Sequence, residues 1–190
     1  MVTGVRSDNN SVQQNYKIKP DITTIGKIIG GGMPIGVIGI SKKVHKLIKG
    51  KKIFYGGTFS GNSLSSFVGN ETLKYLIKNK TIIKKVNDKS KYFQNTLNKF
   101  IYNNKMDLKI YRYSSILRIV FTNNKINNRT QRDFFENKIS NKIVNFKKLL
   151  FQKNIYYPSN GIIFFSDATN YKNIDYVIKN IKEGFIKYFR

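Results

Sequence analysis

Apolar residues in the last third of the chain recur every three or four positions. Phe135, Ile139, Ile143, Phe146 and Leu150 step by four or three, which predicts one amphipathic helix. Ile174, Val177, Ile181 and Phe185 repeat the pattern and predict a final helix over 171–188 with those side chains buried. Val86, Phe93, Leu97 and Phe100 mark the inward face of an earlier helix over 82–101. Between these helices the spacing drops to two. Residues 108–113 alternate apolar and polar side chains, and 116–121 do so less strictly, so the two stretches read as adjacent strands. Residues 155–157 and 162–165 are shorter strand candidates, separated by Pro158-Ser159-Asn160-Gly161. Residues 123–128 form a polar loop.

The first part of the chain is patterned differently. Residues 7–14 are polar and read as a loop. Val37-Ile38-Gly39-Ile40 is short, apolar and β-branched, which predicts a buried strand. Ser41 is placed to cap a short helix running through Leu47 and ended by Gly50. Residues 54–61 are glycine-rich with small hydroxylated side chains and read as a binding loop. From Ser63 the pattern is helical, with Leu64, Phe67, Val68, Leu73 and Leu76 roughly on one face; Gly69 and Asn70 weaken that helix. The alternation of helices and short strands predicts an α/β fold.

With 190 residues the chain can hold one domain, or one and a small second. It has no cysteine, so it has no disulfide framework and no thiolate metal site. No stretch approaches the roughly 20 apolar residues of a membrane span, and the start has no signal-type pattern. A soluble, cytoplasmic protein is expected. The net charge of +25 has the size of a nucleic-acid footprint. Yet Lys, Asn, Ile, Tyr and Phe are all abundant and share A/T-rich codons, and the lysines are spread along the chain. Codon bias accounts for the charge; a nucleic-acid-binding module is an alternative that rests on charge alone. The charge attracts acidic substrates in a salt-dependent way. His45 is the only histidine and reads as a surface helix residue. Asp8, Asp21, Asp88 and Asp167 are too scattered to form a metal site.

The candidate chemistry lies in two segments. Thr24-Ile25-Gly26-Lys27-Ile28-Ile29-Gly30-Gly31-Gly32-Met33-Pro34-Ile35-Gly36 holds one lysine among apolar residues and glycines. A lysine in apolar surroundings can have a lowered pKa and serve as an amine nucleophile for a Schiff base. Gly56-Gly57-Thr58-Phe59-Ser60-Gly61-Asn62 offers backbone N–H groups and hydroxyls to a phosphate. An amine for an aldehyde and a cradle for a phosphate are what pyridoxal phosphate requires. Gly30, Gly31 and Gly32 lack the Gly-Lys-Ser/Thr ending of a nucleotide loop and suit close packing instead.

Met1-Val2-Thr3-Gly4-Val5-Arg6, Pro20-Asp21-Ile22-Thr23-Thr24-Ile25-Gly26-Lys27, Gly30 to Gly36 and Gly57 to Asn62 resemble, in order and spacing, the class III (subgroup II) aminotransferases. The resemblance implies the C-terminal part of a fold-type I pyridoxal 5'-phosphate-dependent transferase. Residues 1–76 would close the large cofactor-binding domain, and 77–190 would form the small C-terminal α/β domain. It implies that Lys27 carries the cofactor and then shuttles a proton at the substrate carbon. Gly57 and Thr58 would hold the phosphate of a neighbouring subunit's cofactor, so a homodimer follows. Arg6 would face a substrate carboxylate or a structural ion pair. The substrate class is a small amino or carbonyl compound. Family members also carry an Asp for the pyridine nitrogen, an upstream phosphate loop and an aromatic residue over the ring. None is identified here, so a separately encoded N-terminal half, or an inactive remnant, is a competing expectation.

Overall fold

A computed structural model describes residues 3–4, 6, 11–53 and 56–190. The chain divides into two compact units, 1–84 and 85–190, and the division falls in the first turn of a long helix. The first unit starts with a short helix α1 (Val12–Asn15), capped by Ser11. Strand β1 (Ile22–Gly26) follows and pairs antiparallel with β2 (Gly36–Ile40), Ile22 opposite Ile40 and Gly26 opposite Gly36. A 3-10 turn (Lys27–Gly30) leaves β1 directly. Ser41 ends β2 and caps helix α2 (Lys42–Ile48), accepting from the Val44 N–H and donating to Asp21 across the ribbon. Helix α3 (Ser63–Lys78) completes the unit, its N-cap Asn62 accepting from the Ser65 N–H.

Three expectations fail here, the first being the loop over residues 7–14, of which residues 12–14 are helical because Ser11 caps them. The strand at 36–40 exists but is exposed along its whole length, because a ribbon of two strands has no second layer of its own. In α3 the buried positions are Ser65 and Gly69, while Leu64 and Phe67 face solvent. Gly69, read as a weakness, is the contact point: a Cβ there would meet Ile35 Cδ1 at 2.9 Å and the Ile29 carbonyl at 3.2 Å. Residues 7–10 of the expected first loop and residues 54–55 of the binding loop lie outside the described residues.

The second unit follows the hydrophobic pattern closely. Helix α4 (Thr81–Asn103) presents Phe93 and Leu97, both fully buried, to a three-stranded antiparallel sheet. That sheet runs β3 (Lys109–Tyr113), β4 (Ile116–Val120), β5 (Ile162–Phe164) in spatial order. β3 is an edge strand, and α4 covers its open backbone with a side-chain amide. Asn98 Oδ1 accepts from the Ile110 N–H at 2.9 Å, and its Nδ2 donates to the Ile110 carbonyl at 3.1 Å. An edge paired in this way is closed to stray strands. Residues 155–157 form no strand; Ile155 and Tyr157 enter the core from irregular chain.

The single helix expected through 135–150 is two, α5 (Arg129–Lys138) and α6 (Ser140–Gln152). Ile139 breaks them, with φ −120° and ψ 24°, while its side chain still packs against the core. Apolar spacing continues across a kink because both helices rest on one core, so periodicity alone does not reveal the break. α5 is pinned to the sheet by Glu136, which accepts from Arg118 at 3.0 Å. Helix α7 (Tyr171–Phe189) lies against α6, with Phe146 stacked on Phe185 at 5.5 Å. Phe121, Tyr157 and Phe189 also meet the Phe146 ring, which makes it the centre of the aromatic core.

Candidate active site

Lys27 stands where β1 ends and the 3-10 turn begins. Its φ is 63°, a left-handed conformation that costs a non-glycine residue about 1–2 kcal/mol. Such strain persists only where neighbours hold it, and three contacts do so here. Ile29 and Gly30 of the turn are buried. A Cβ on Gly30 would come within 2.9 Å of Ile35 Cγ2. Gly31, at φ 57°, lies under Thr72 and Val68 of α3, so closely that a side chain there would collide with the Thr72 hydroxyl. The turn is thus wedged between Ile35 and α3, and the glycines are small because the wedge is tight. The Lys27 side chain itself is exposed. The apolar enclosure suggested by Ile25, Ile28 and Ile29 is absent: Ile29 turns inward and Ile28 outward.

Gly57 and Thr58 lie on the loop before α3. The Ser60 N–H donates to the Gly57 carbonyl at 2.9 Å and the Asn62 N–H to the Phe59 carbonyl at 3.2 Å, which folds the loop into consecutive turns. Together with Pro34, Ile35, Gly36 and Val37, the loop borders an open cavity of about 700 Å³. The N-terminal end of α3 also borders it, through Asn62, Ser65 and Ser66. Hydroxyls at Thr58, Ser60, Ser65 and Ser66 and the positive end of a helix dipole suit a phosphate group without any lysine or arginine in the lining. Ser65 and Ser66 were not singled out from the sequence, and residues 34–37 read there as part of the lysine segment and the start of a strand, not as lining of this cavity. The only signal for the serines was Asn62 as an N-cap, which sets the positions of the first helical turn.

Lys27 does not line this cavity. Within one chain the amine and the phosphate cradle are therefore separate features, brought to one unit by the β1–β2 ribbon but not to one pocket. Arg6 is half-buried, and burial lowers its guanidinium below its ordinary pKa. Of the block it was read with, Met1, Val2 and Val5 lie outside the described residues. His45 is exposed on α2, as expected.

The family profile described as "Aminotransferase class-III" matches residues 9–142. The chain is 32% identical, over 202 aligned positions, to a glutamate-1-semialdehyde 2,1-aminomutase of Thermosipho melanesiensis; the match takes in 97% of this chain and 45% of that protein. A protein of the same description from Archaeoglobus fulgidus is 42% identical over 88 residues, 46% of this chain and 21% of its own length. Among solved structures, a glutamate-1-semialdehyde aminomutase from Pseudomonas aeruginosa PAO1 in complex with PMP superposes with a TM-score of 0.82 at 14% identity, covering 98% of this chain and 43% of that one. An omega-transaminase from Sphaerobacter thermophilus gives 0.78 at 18%, covering 97% and 42%. These structural likenesses concern the fold: the α/β arrangement is part of an aminotransferase fold. The chain spans about half the length of the curated relatives it matches.

Proposed function

This chain belongs to the class-III aminotransferases, and from that premise we propose that it carries part of a pyridoxal 5'-phosphate site for amino-group transfer on a small amino or carbonyl compound. The observation that carries the reading is the position of Lys27. It is a lysine held in a left-handed conformation at a strand end, on a turn packed tightly against a helix. Lys27 would hold the cofactor through its side-chain amine and would serve as the base that moves a proton at the substrate carbon. Gly57 and Thr58 hold a phosphate through backbone N–H and hydroxyl groups. By the family resemblance they serve the site of a second copy, and the assembly is a homodimer. Arg6 holds a substrate carboxylate. Pyridoxal phosphate, when bound, supplies the electron-accepting ring that stabilises negative charge at that carbon.

The names of the relatives favour glutamate 1-semialdehyde as substrate, with the amino group moved to the adjacent carbon to give 5-aminolevulinate. Another class-III transamination is the second reading, since an omega-transaminase shares the fold. Either reaction belongs to the fold completed by the polypeptide that the relatives have beyond this match, whether joined to this chain or encoded separately.

The test is reduction with borohydride in the presence of pyridoxal phosphate, followed by peptide mapping. Label is expected on Lys27 in clear preference to the other lysines, and Lys27→Ala should lose that peptide's label while the background is unchanged. Label scattered evenly over the lysines, or unaltered in the variant, would remove Lys27 from the site.

A further inference from the structure

The chain leaves β1 through a run of uncommon backbone angles. Lys27 has φ 63°, Gly31 57° and Gly32 100°. Two hydrogen bonds close the turn. The Gly31 N–H donates to the Ile28 carbonyl at 3.2 Å, and the Met33 N–H to the Gly30 carbonyl at 2.9 Å. These bonds shape the turn, but they do not set where it lies against α3. A strained residue keeps its conformation only where the surroundings over-determine it.

Ile35 supplies that constraint. Its side chain stands between two glycines. Cγ2 faces Gly30, where a Cβ would come within 2.9 Å, and Cδ1 faces Gly69 of α3, where a Cβ would again come within 2.9 Å. The Ile29 carbonyl reaches the same point on α3, 3.2 Å from that Cβ position. Ile29, Gly30 and Gly69 are buried, and Ile35 is half-buried. A β-branched side chain is stiff, so Ile35 acts as a spacer of fixed length. The Thr72 hydroxyl, tied to the Val68 carbonyl at 2.8 Å, stands over Gly31 one turn further along α3.

We propose that Ile35 and Gly69 are a matched pair of positioning residues for Lys27. The Cδ1 methyl seated on Gly69 sets the distance between α3 and the turn, holds Lys27 left-handed and so directs its amine. The functional meaning rests on the reading of Lys27 given above; the geometry does not. Both residues act through the backbone of the turn.

A methyl swap separates fit from stability. Gly69→Ala adds a methyl where Ile35 Cδ1 stands, and Ile35→Val removes that Cδ1 while keeping Cγ2 against Gly30. The double variant conserves volume, the change that cores tolerate best. Alanine is also the better helix former, so Gly69→Ala does not weaken α3 itself.

The test is amide hydrogen exchange at Gly31 and Met33 in the full chain. Gly69→Ala should speed both amides by about tenfold. Residues 73–78 of α3, and Ile110 of the second unit, should keep wild-type rates. Adding Ile35→Val should bring the turn amides back to within about threefold of wild type, a coupling that independent sites do not show. If Gly69→Ala alone does not fold, the double variant should fold; failure of both overturns the inference. Borohydride reduction with pyridoxal phosphate in the same samples reads the amine. The share of label on Lys27 should fall in Gly69→Ala and return in the double variant. The inference is overturned if Gly69→Ala leaves the turn amides at wild-type rates, or if the double variant exchanges as fast as Gly69→Ala. It is also overturned if the turn loosens while Lys27 keeps its full share of label. Wild type without preference for Lys27 fails the cofactor reading alone, because the exchange rates still decide whether the pair holds the turn. Unaltered exchange beside strong Lys27 label fails this inference alone.

Discussion

Tyr157 shows how one buried group sets a pH limit. Its hydroxyl donates to the Gly161 carbonyl at 3.3 Å, and its ring lies beside Phe146 at 5.9 Å. Burial, the largest cause, pushes its pKa well above the ordinary value of 10.0. The native state therefore keeps a proton that the unfolded chain loses above pH 10. The stabilisation is fully present below about pH 10 and declines as pH rises, by at most about 1.4 kcal/mol per pH unit. Urea unfolding of wild type and Tyr157→Phe at about pH 9 and pH 11 should show a steeper loss in wild type; parallel losses would contradict this assignment. The proposed site residues behave differently. Lys27 and Thr58 are both exposed, so their local chemistry depends on what else comes to them. The sequence identified Lys27 by the glycines around it. It did not show that Gly31 and Gly69 matter as contact points under Thr72 and Ile35, because such contacts join residues about forty apart.

At the level of elements, the helices of the second unit were legible because each buries a single stripe. Ile174, Ile181 and Phe185 of α7 are buried as expected, while Val177 is half-buried and Ile178 is buried in its place; Phe93 and Leu97 of α4 are buried. The break at Ile139 was not legible, since apolar spacing runs through it. The face of α3 was misread for the opposite reason: its exposed Leu64 and Phe67 look like core residues, and its buried contact is a glycine. Gly184 of α7 plays the same part in the second unit. A Cβ there would sit 2.6 Å from Phe146 Cδ2, and that ring is fully enclosed. Gly184→Ala gains about 1 kcal/mol of helix propensity but overpacks the core. A net loss of about 1–2 kcal/mol is expected, seen as a lower urea midpoint at unchanged slope. A rise in the midpoint would mean that α6 and α7 can part.

For the molecule as a whole, charge is the dominant long-range term. A net charge of +25 on 190 residues opposes compaction, and dissolved salt screens it. The thermal midpoint should therefore rise from low to physiological salt, by about 2–4 °C for each kcal/mol of repulsion screened. A midpoint indifferent to salt would show that the charges are already paired or too far apart to matter. No helix among the described residues is long and apolar enough to cross a membrane, so the exposed apolar side chains of the first unit are not a membrane-spanning helix.

The sequence by itself determined the family, singled out the lysine as a candidate and predicted most of the elements. Each is written locally: short motifs, a 3.6-residue or two-residue period, and caps such as Ser41 and Asn62 act over a few residues. Tertiary structure decided which apolar faces are covered. Val37, Ile38 and Ile40 have the pattern of a buried strand, yet they are exposed. Burial depends on what lies across from a strand, and periodicity describes only the strand. It also decided that Lys27 and Thr58 do not share a pocket within one chain, because their approach depends on how β1, β2 and the loop before α3 are set in space.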